Sequence, residues 1–390
     1  MQCIMPPHIL EHLLSSEDSE LRQIALNNLL TNGRLGGERK VQSLMFAGGP
    51  GGSLRTVYNC RNLASRSQAK VARTEDAAAS KDPTVNQAFE GLGATRDFYK
   101  DVFRRNSIDD RGMRLEAFVH YDKHYQNAYW DGKVMVFGDG DGKLFVDFTK
   151  SLDVIAHELA HGVTEFTAGL EYHNESGALN EHISDAMGSL VKQWSLKQTV
   201  EQADWLIGAE IFTPSIKADA LRSMKAPGTA YDNPLIGKDP QPDHMDRFVK
   251  LPDTQLGDWG GVHINSGIPN KAFYLAAMAI GGHAWEAAGH IWYEALLASN
   301  AKTNFRQFAQ TTVVKASQLY GTDKRKAVSD AWASVGLAVT APGSPRASAK
   351  GEAKELEAAE IHLAELTRQI ELLSDRVRDL TSEVEHSLHL

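Results

Sequence analysis

Only two cysteines, Cys3 and Cys60, occur in the 390 residues, far apart in sequence. That excludes a disulfide framework and permits a reducing compartment. There is no basic surplus: 41 Lys and Arg stand against 50 Asp and Glu, a net charge of −9. No basic patch points to nucleic acid, and the excess of acid reads as a solvated surface. No stretch approaches the roughly 18 uncharged apolar residues of a membrane span. The N-terminus lacks a charged segment followed by a long apolar core, so no ordinary signal peptide is expected. A cytoplasmic precursor and secretion by a signal-independent route both stay open. What is present is ordinary: 42% hydrophobic residues, enough for a sizeable core, and a length that suggests two or three domains.

The chain is organised around residues 151–185. His157-Glu158-Leu159-Ala160-His161 is an H-E-x-x-H. Leu152, Ile155, Leu159 and Val163 recur at helical spacing, so both imidazoles share one helix face and can bind one metal. Neutral imidazoles suit Zn²⁺, and a catalytic zinc takes three protein ligands and keeps one position open. Glu181 is the best third ligand. Leu179, Ile183, Met187 and Leu190 set it on a second helix. Asp185 lies four residues further on the same face, where it can accept a hydrogen bond from a zinc-bound histidine.

The run from His157 to Asp185 resembles the thermolysin family of zinc endopeptidases, and the likeness extends over roughly residues 55–340. It implies an α+β fold, with a β-rich N-terminal lobe and a helical C-terminal lobe enclosing a zinc cleft. It implies one catalytic Zn²⁺ on His157, His161 and Glu181, with Glu158 as general base. Asp258 to Gly267 is a glycine-rich loop that resembles the family's second landmark. By carry-over, His263 and Tyr172 stabilise the oxyanion and Asp258 orients His263. Asn127, Ala128 and Trp130 resemble the edge along which an extended peptide substrate adds as a strand. Arg222 matches the residue that holds the substrate carbonyl on the leaving-group side. Phe145, Phe148, Val154, Ile211 and Leu221 match the lining of the pocket there, which implies cleavage on the amino side of bulky apolar residues. Each of these five taken alone also fits plain core packing.

The expected domains are a prosegment over 1–45, an activation linker over 46–54, the β-rich lobe over 55–164 and the helical lobe over 165–340. A linker over 341–351 and a coiled-coil tail over 352–390 complete the chain. Two short helices are expected in 4–32, the first started by Pro6-Pro7, the second capped by Ser15 or Ser16 and ended by Asn32-Gly33. Pro6-Pro7-His8-Ile9-Leu10 resembles the short prosegment of the protealysin-like branch, which implies self-inhibition. A small helical subdomain without a regulatory role is the plainer reading. Cys3, as a thiolate on the open zinc position, is one candidate blocker and His8 is its rival. Leu44, Met45, Phe46 and Leu54 are candidate new N-termini after self-processing.

Strands are expected within 114–121 and 133–140. Asp139 to Gly142 reads as a tight turn rather than an EF-hand, since Lys150 stands where the bidentate Glu belongs. The family's double calcium site maps onto Asp153, Lys192, Asp204, Leu206 and Ala209. Two aspartates cannot hold two Ca²⁺, so Lys192 is expected to replace the ions and pair with Asp153 and Asp204. A single Ca²⁺ near Thr213 and Asp219 stays open. In the tail, Leu356 to Val384 keep 4–3 spacing, with Ile370, Val377 and Val384 at a and Leu366, Leu373 and Leu380 at d. That pattern favours a parallel homodimer through 356–384; an intramolecular helix is the alternative. The expected partners are peptide or protein substrates and the chain's own prosegment. The rival function is a self-inhibited or passenger protease in a coiled-coil assembly protein.

Overall fold

The computed structural model describes residues 2–42 and 54–339. The chain divides at Ala341/Pro342. The coiled coil with its proposed dimer, the linker before it and candidate cut sites Leu44, Met45 and Phe46 lie outside the described residues.

The first layer is a mixed sheet whose outermost strand is the N-terminus itself. Its strands are β1 (Gln2–Cys3), β2 (Arg55–Leu63), β3 (Lys70–Thr74), β4 (Leu115–Tyr121), β5 (Ala128–Trp130) and β6 (Met135–Phe137), in the order β1-β5-β6-β4-β2-β3. In β4 every second residue is buried, the pattern of a strand with one face on the core. β1 pairs antiparallel with β5, with Gln2 opposite Trp130 and Cys3 opposite Tyr129.

Between β1 and β2 run α1 (Pro7–Leu13) and α2 (Ser19–Gln42). Pro7 starts α1 with Pro6 at the cap position, as expected. The start of α2 differs from expectation. Asp18, not a serine, accepts from the backbone N–H groups of Glu20 and Leu21. Its end differs too, because the helix runs through Asn32-Gly33. Tertiary contacts outweigh the glycine there. Asn32 accepts from the Tyr125 hydroxyl, Arg34 donates to Tyr121, and Leu35 is buried beside Cys60 and three tyrosines.

α3 (Pro83–Phe103) crosses the β-rich lobe and was not foreseen in the sequence. Asp82 caps it by accepting from Thr84 N–H. The helical layer comprises α4 (Leu152–Glu165), α5 (Asn174–Leu196), α6 (Asp258–Asn265), α7 (Gly267–Ile280), α8 (Ala287–Leu297) and α9 (Phe305–Ser334). One contiguous apolar core runs from Ile4 and Leu10 through α3, α4 and α5 to Trp332 on α9. No helix among the described residues is long and apolar enough to cross a membrane.

Candidate metal centre and peptide cleft

α4 and α5 meet at close range because Gly188 has no side chain. A Cβ there would lie 2.6 Å from the backbone oxygen of Asp153. This contact sets Glu181 opposite the two histidines. One ligand atom each from His157, His161 and Glu181 lies within 4.8 Å of the others, and all three residues are buried. His157 Nε2 is 3.5 Å from Glu181 Oε2, and His161 Nε2 is 3.4 Å from Glu181 Oε1.

α5 serves both imidazoles: one residue holds His157, and two residues four apart hold His161. Asp185 Oδ1 lies 2.9 Å from His157 Nδ1. Asn180 Oδ1 and Ser184 Oγ lie 2.8 and 2.9 Å from His161 Nδ1. With Nδ1–H donating in both rings, each Nε2 lone pair faces Glu181. His157 Nε2 and Glu181 Oε2 are buried with no hydrogen-bond partner among the described residues. Buried polar atoms are rarely left so, and two imidazole nitrogens with a carboxylate form a tetrahedral zinc donor set. The residues present fit that ion.

Sequence reasoning named Asp185 and missed Asn180 and Ser184, though the same four-residue spacing marks them. It also missed the shell behind Asp185. Asn270 Nδ2 donates to Asp185 Oδ2 at 2.9 Å while its Oδ1 faces His182 Nδ1 at 2.7 Å. His182 Nε2 accepts from Trp292 at 2.8 Å, and burial pushes the pKa of this histidine down to about 4. Burial alone would raise the Asp185 pKa; Arg222 and His157 outweigh it and hold the carboxyl well below the usual range.

Glu158 projects from α4 toward β5, and its Oε2 accepts from Trp130 N–H at 3.0 Å. Burial, Cys3 and the nearby Glu181 hold Glu158 well above the usual carboxyl range. The loop of α6 opens with Asp258, Trp259, Gly260 and Gly261, all at positive φ. This turn sets Asp258 Oδ1 2.5 Å from His263 Nδ1, and Gln241 ties down the His263 carbonyl at 2.8 Å. Burial opposes charge on His263, but Glu181 and Asp258 hold its pKa well above the ordinary value. Tyr172 donates to Glu181 and lies 3.2 Å from His263 Nε2.

The cleft between these groups is filled by residues 3–5. Cys3 O lies 2.8 Å from His263 Nε2, Ile4 N–H donates to Ala128 O at 3.3 Å, and Met5 N–H donates to Asn127 Oδ1 at 3.1 Å. Arg222 donates to Ile4 O at 3.0 Å and holds Asp185 with two further bonds of 2.7 and 2.8 Å. Phe145, Phe148, Val154, Ile211 and Leu221 are all buried and share the apolar core with Ile4.

The expectation that the Cys3 thiolate takes the open metal position is corrected. The Cys3 sulfur lies 3.7 Å from Met5 O, packs among Tyr121, Tyr125 and Tyr129, and is absent from the His157–His161–Glu181 cluster. Strand pairing with β5 forces this outcome, because it fixes the carbonyl of Cys3, not its side chain, toward His263. His8 is no metal blocker either; its Nε2 lies 2.7 Å from the Tyr231 hydroxyl. Pro6 and Pro7 cap and start α1, which turns the chain out of the cleft.

Below α4, Lys192 Nζ lies 2.7 Å from Asp153 Oδ2, 3.1 Å from Asp204 and 3.0 Å from Leu206 O. Ser151 donates to Glu210 at the edge of the same cluster. Asp141 Oδ1 accepts from three successive backbone N–H groups, those of Lys143, Leu144 and Phe145, and the chain bends over 142–144, later than the turn expected at 139–142. Thr213 is bonded to the Lys143 carbonyl and to Ser215.

Comparisons with known proteins agree with this geometry. Residues 52–165 match the thermolysin metallopeptidase catalytic domain, and 168–337 match the thermolysin metallopeptidase alpha-helical domain. An extracellular metalloprotease of Pectobacterium carotovorum subsp. carotovorum is 45% identical over 348 residues, 86% of this chain and 96% of that protein. Protease PrtS of Photorhabdus sp. (strain Az29) is 52% identical over 73% of this chain and 76% of its own length. The solved precursor of protealysin, a metalloproteinase from Serratia proteamaculans, superposes with a TM-score of 0.78 at 45% identity, covering 87% of this chain and all of that one. The chain belongs to the thermolysin family of zinc metallopeptidases and resembles its protealysin-like members.

Proposed function

We propose that this metalloprotease is made as a self-processing zymogen, with residues 1–45 as prosegment, and that it cuts before bulky apolar residues. One observation carries the reading: the chain's own residues 3–5 lie along β5, hydrogen-bonded to His263, Ala128, Asn127 and Arg222. A peptide substrate would use the same row of partners.

His157, His161 and Glu181 would hold the zinc, which when bound supplies Lewis acidity and a more acidic water. Glu158 takes the proton from the attacking water and delivers it to the leaving nitrogen. Trp130 N–H keeps one Glu158 oxygen fixed, so the other is available for this transfer. His263, with Asp258 behind it, and Tyr172 donate toward the carbonyl oxygen as negative charge grows on it. Arg222 and Asn127 hold the backbone on the leaving-group side. The apolar walls formed by Phe145, Phe148, Val154, Ile211 and Leu221 favour Leu, Ile, Val or Phe after the cut bond. Lys192 takes the place of a double calcium site, so stability does not depend on Ca²⁺ there. The tail pairs two copies through 356–384.

Casein hydrolysis by the processed wild type, absent in Glu158→Gln, tests the activity. Mass spectrometry of the same preparations reads prosegment loss, expected before Leu44, Met45, Phe46 or Leu54, together with metal content. A full-length chain that binds zinc yet never processes itself nor cuts casein would favour the assembly-protein reading instead.

A further inference from the structure

We propose that the zymogen hydrolyses its own Cys3–Ile4 bond and keeps the new Ile4 terminus seated in the cleft. This rests on the proteolytic roles proposed above, and it concerns a bond well upstream of the linker cut.

The argument is one of register. Each backbone polar group from Cys3 O to Met5 N–H meets a residue with an assigned role in catalysis or substrate binding. Cys3 O faces His263 Nε2 at 2.8 Å, on the side where oxyanion charge is stabilised. Ile4 N–H faces Ala128 O at 3.3 Å, with the Glu158 carboxylate beside it. Ile4 O and Met5 N–H are held by Arg222 and Asn127. The bond between the carbonyl at the oxyanion donor and the nitrogen at the general base is Cys3–Ile4, and only that one. A blocking segment threaded in the opposite direction would not set these two atoms beside those two groups. Nor is the bond protected by proline, since Pro6 and Pro7 follow two residues later.

The chemistry balances with water as the only co-reactant. Water oxygen adds to the Cys3 carbonyl carbon and the C–N bond to Ile4 breaks. Glu158 relays one water proton to the Ile4 nitrogen. Residues up to Cys3 leave with a C-terminal carboxyl group. What remains does not leave with them. Ile4 and Met5 keep Arg222 and Asn127; Ile9, Leu10 and Leu13 stay buried in the core; His8 and His12 bond to Tyr231 and Pro234 O. The trimmed precursor is therefore latent, occupied by its own product. Activation waits for loss of the rest of the prosegment.

Intact mass and N-terminal sequencing of the zinc-loaded, full-length precursor test this. The expected result is a chain beginning at Ile4 that still does not cut casein, formed with a rate constant unchanged over tenfold dilution. Glu158→Gln should retain residues 1–3, and Ile4→Asp should slow the cut at least tenfold. A second measurement needs no activity: in metal-free Glu158→Gln precursor, the Ile4 and Met5 amides should exchange at least tenfold more slowly than in a free peptide. Exchange at the free rate would overturn the register. So would a rate constant that rises with concentration. A processed enzyme that cuts casein while its precursor keeps Cys3–Ile4 intact would overturn the inference and leave the protease reading standing. A processed, zinc-loaded enzyme that cuts nothing would bring down both.

Discussion

Asp185 and Arg222 form a fully buried two-point pair, with Nε and Nη2 of the guanidinium 2.8 and 2.7 Å from the two carboxylate oxygens. The same carboxylate bonds His157, and the same guanidinium holds Ile4 O. Metal ligand and peptide clamp are thus coupled through one ion pair. Arg222→Ala leaves a buried carboxylate without its cation, which should cost about 3–5 kcal/mol of stability. Asp185→Asn frees the His157 ring to turn and should weaken zinc affinity by about 10–100-fold. Competition with a chromophoric chelator measures the second effect and thermal unfolding the first. Unchanged affinity in Asp185→Asn would show that α5 packing alone orients His157.

Much of this site is legible in the sequence because it is built on helices. The spacings 157/161 and 181/185 each put two side chains on one face before any fold is known. The pairing of Asn180 and Ser184 with His161 follows the same rule and was readable. Arg222 is different, since its partner Asp185 and its contact Ile4 are far away in sequence. β1 is two residues long and has no strand pattern, so only the edge of β5 defines it. α2 runs past Gly33 for a similar reason: its contacts with Tyr121 and Tyr125 come from 87 and 93 residues away in the sequence. Local rules find the chemistry, and long-range pairing finds what covers it.

Lys192 holds together an otherwise repulsive group. Asp153 is fully buried, while Asp204 is about half exposed. Lys192→Ala should destabilise by about 3 kcal/mol, mostly through Asp153, since Asp204 remains screened by water. Wild type should melt at the same temperature with and without millimolar Ca²⁺. A Ca²⁺-dependent rise in Tm in wild type would refute the replacement.

Gly188 is the point where α5 touches α4. Its missing side chain faces Asp153 O at 2.6 Å and His157 Cβ at 3.4 Å. Gly188→Ala would ordinarily favour a helix by about 1 kcal/mol. Here the methyl group must push the two helices apart, so the net effect should be a loss of about 1–3 kcal/mol. Because Glu181 moves with α5, zinc affinity should fall as well. A stabilised variant with intact zinc binding would show that the helices have slack at this contact.

The last prediction concerns acid. His8 lies on α1 and is partly exposed, but its Nδ1 is buried and has no hydrogen-bond partner among the described residues. Burial pushes its pKa from 6.5 down to about 4; Asp258 favours the proton, while His263, Arg222 and His12 oppose it. Above pH 6.5 His8 is neutral whether α1 is docked or released, and it contributes nothing to pH dependence. As the pH falls toward 4, the released segment takes up a proton that the docked one resists. Docking therefore weakens on acidification. With the open part of the ring screened by solvent, the loss should reach no more than about 2 kcal/mol. In Glu158→Gln precursor, amide exchange over residues 4–13, corrected for its intrinsic pH dependence, should rise on the order of tenfold between pH 7 and pH 5. His8→Gln retains a hydrogen-bonding side chain for Tyr231 but cannot titrate, and its profile should be flat. An equal rise in His8→Gln would assign the acid sensitivity to another group in the cleft.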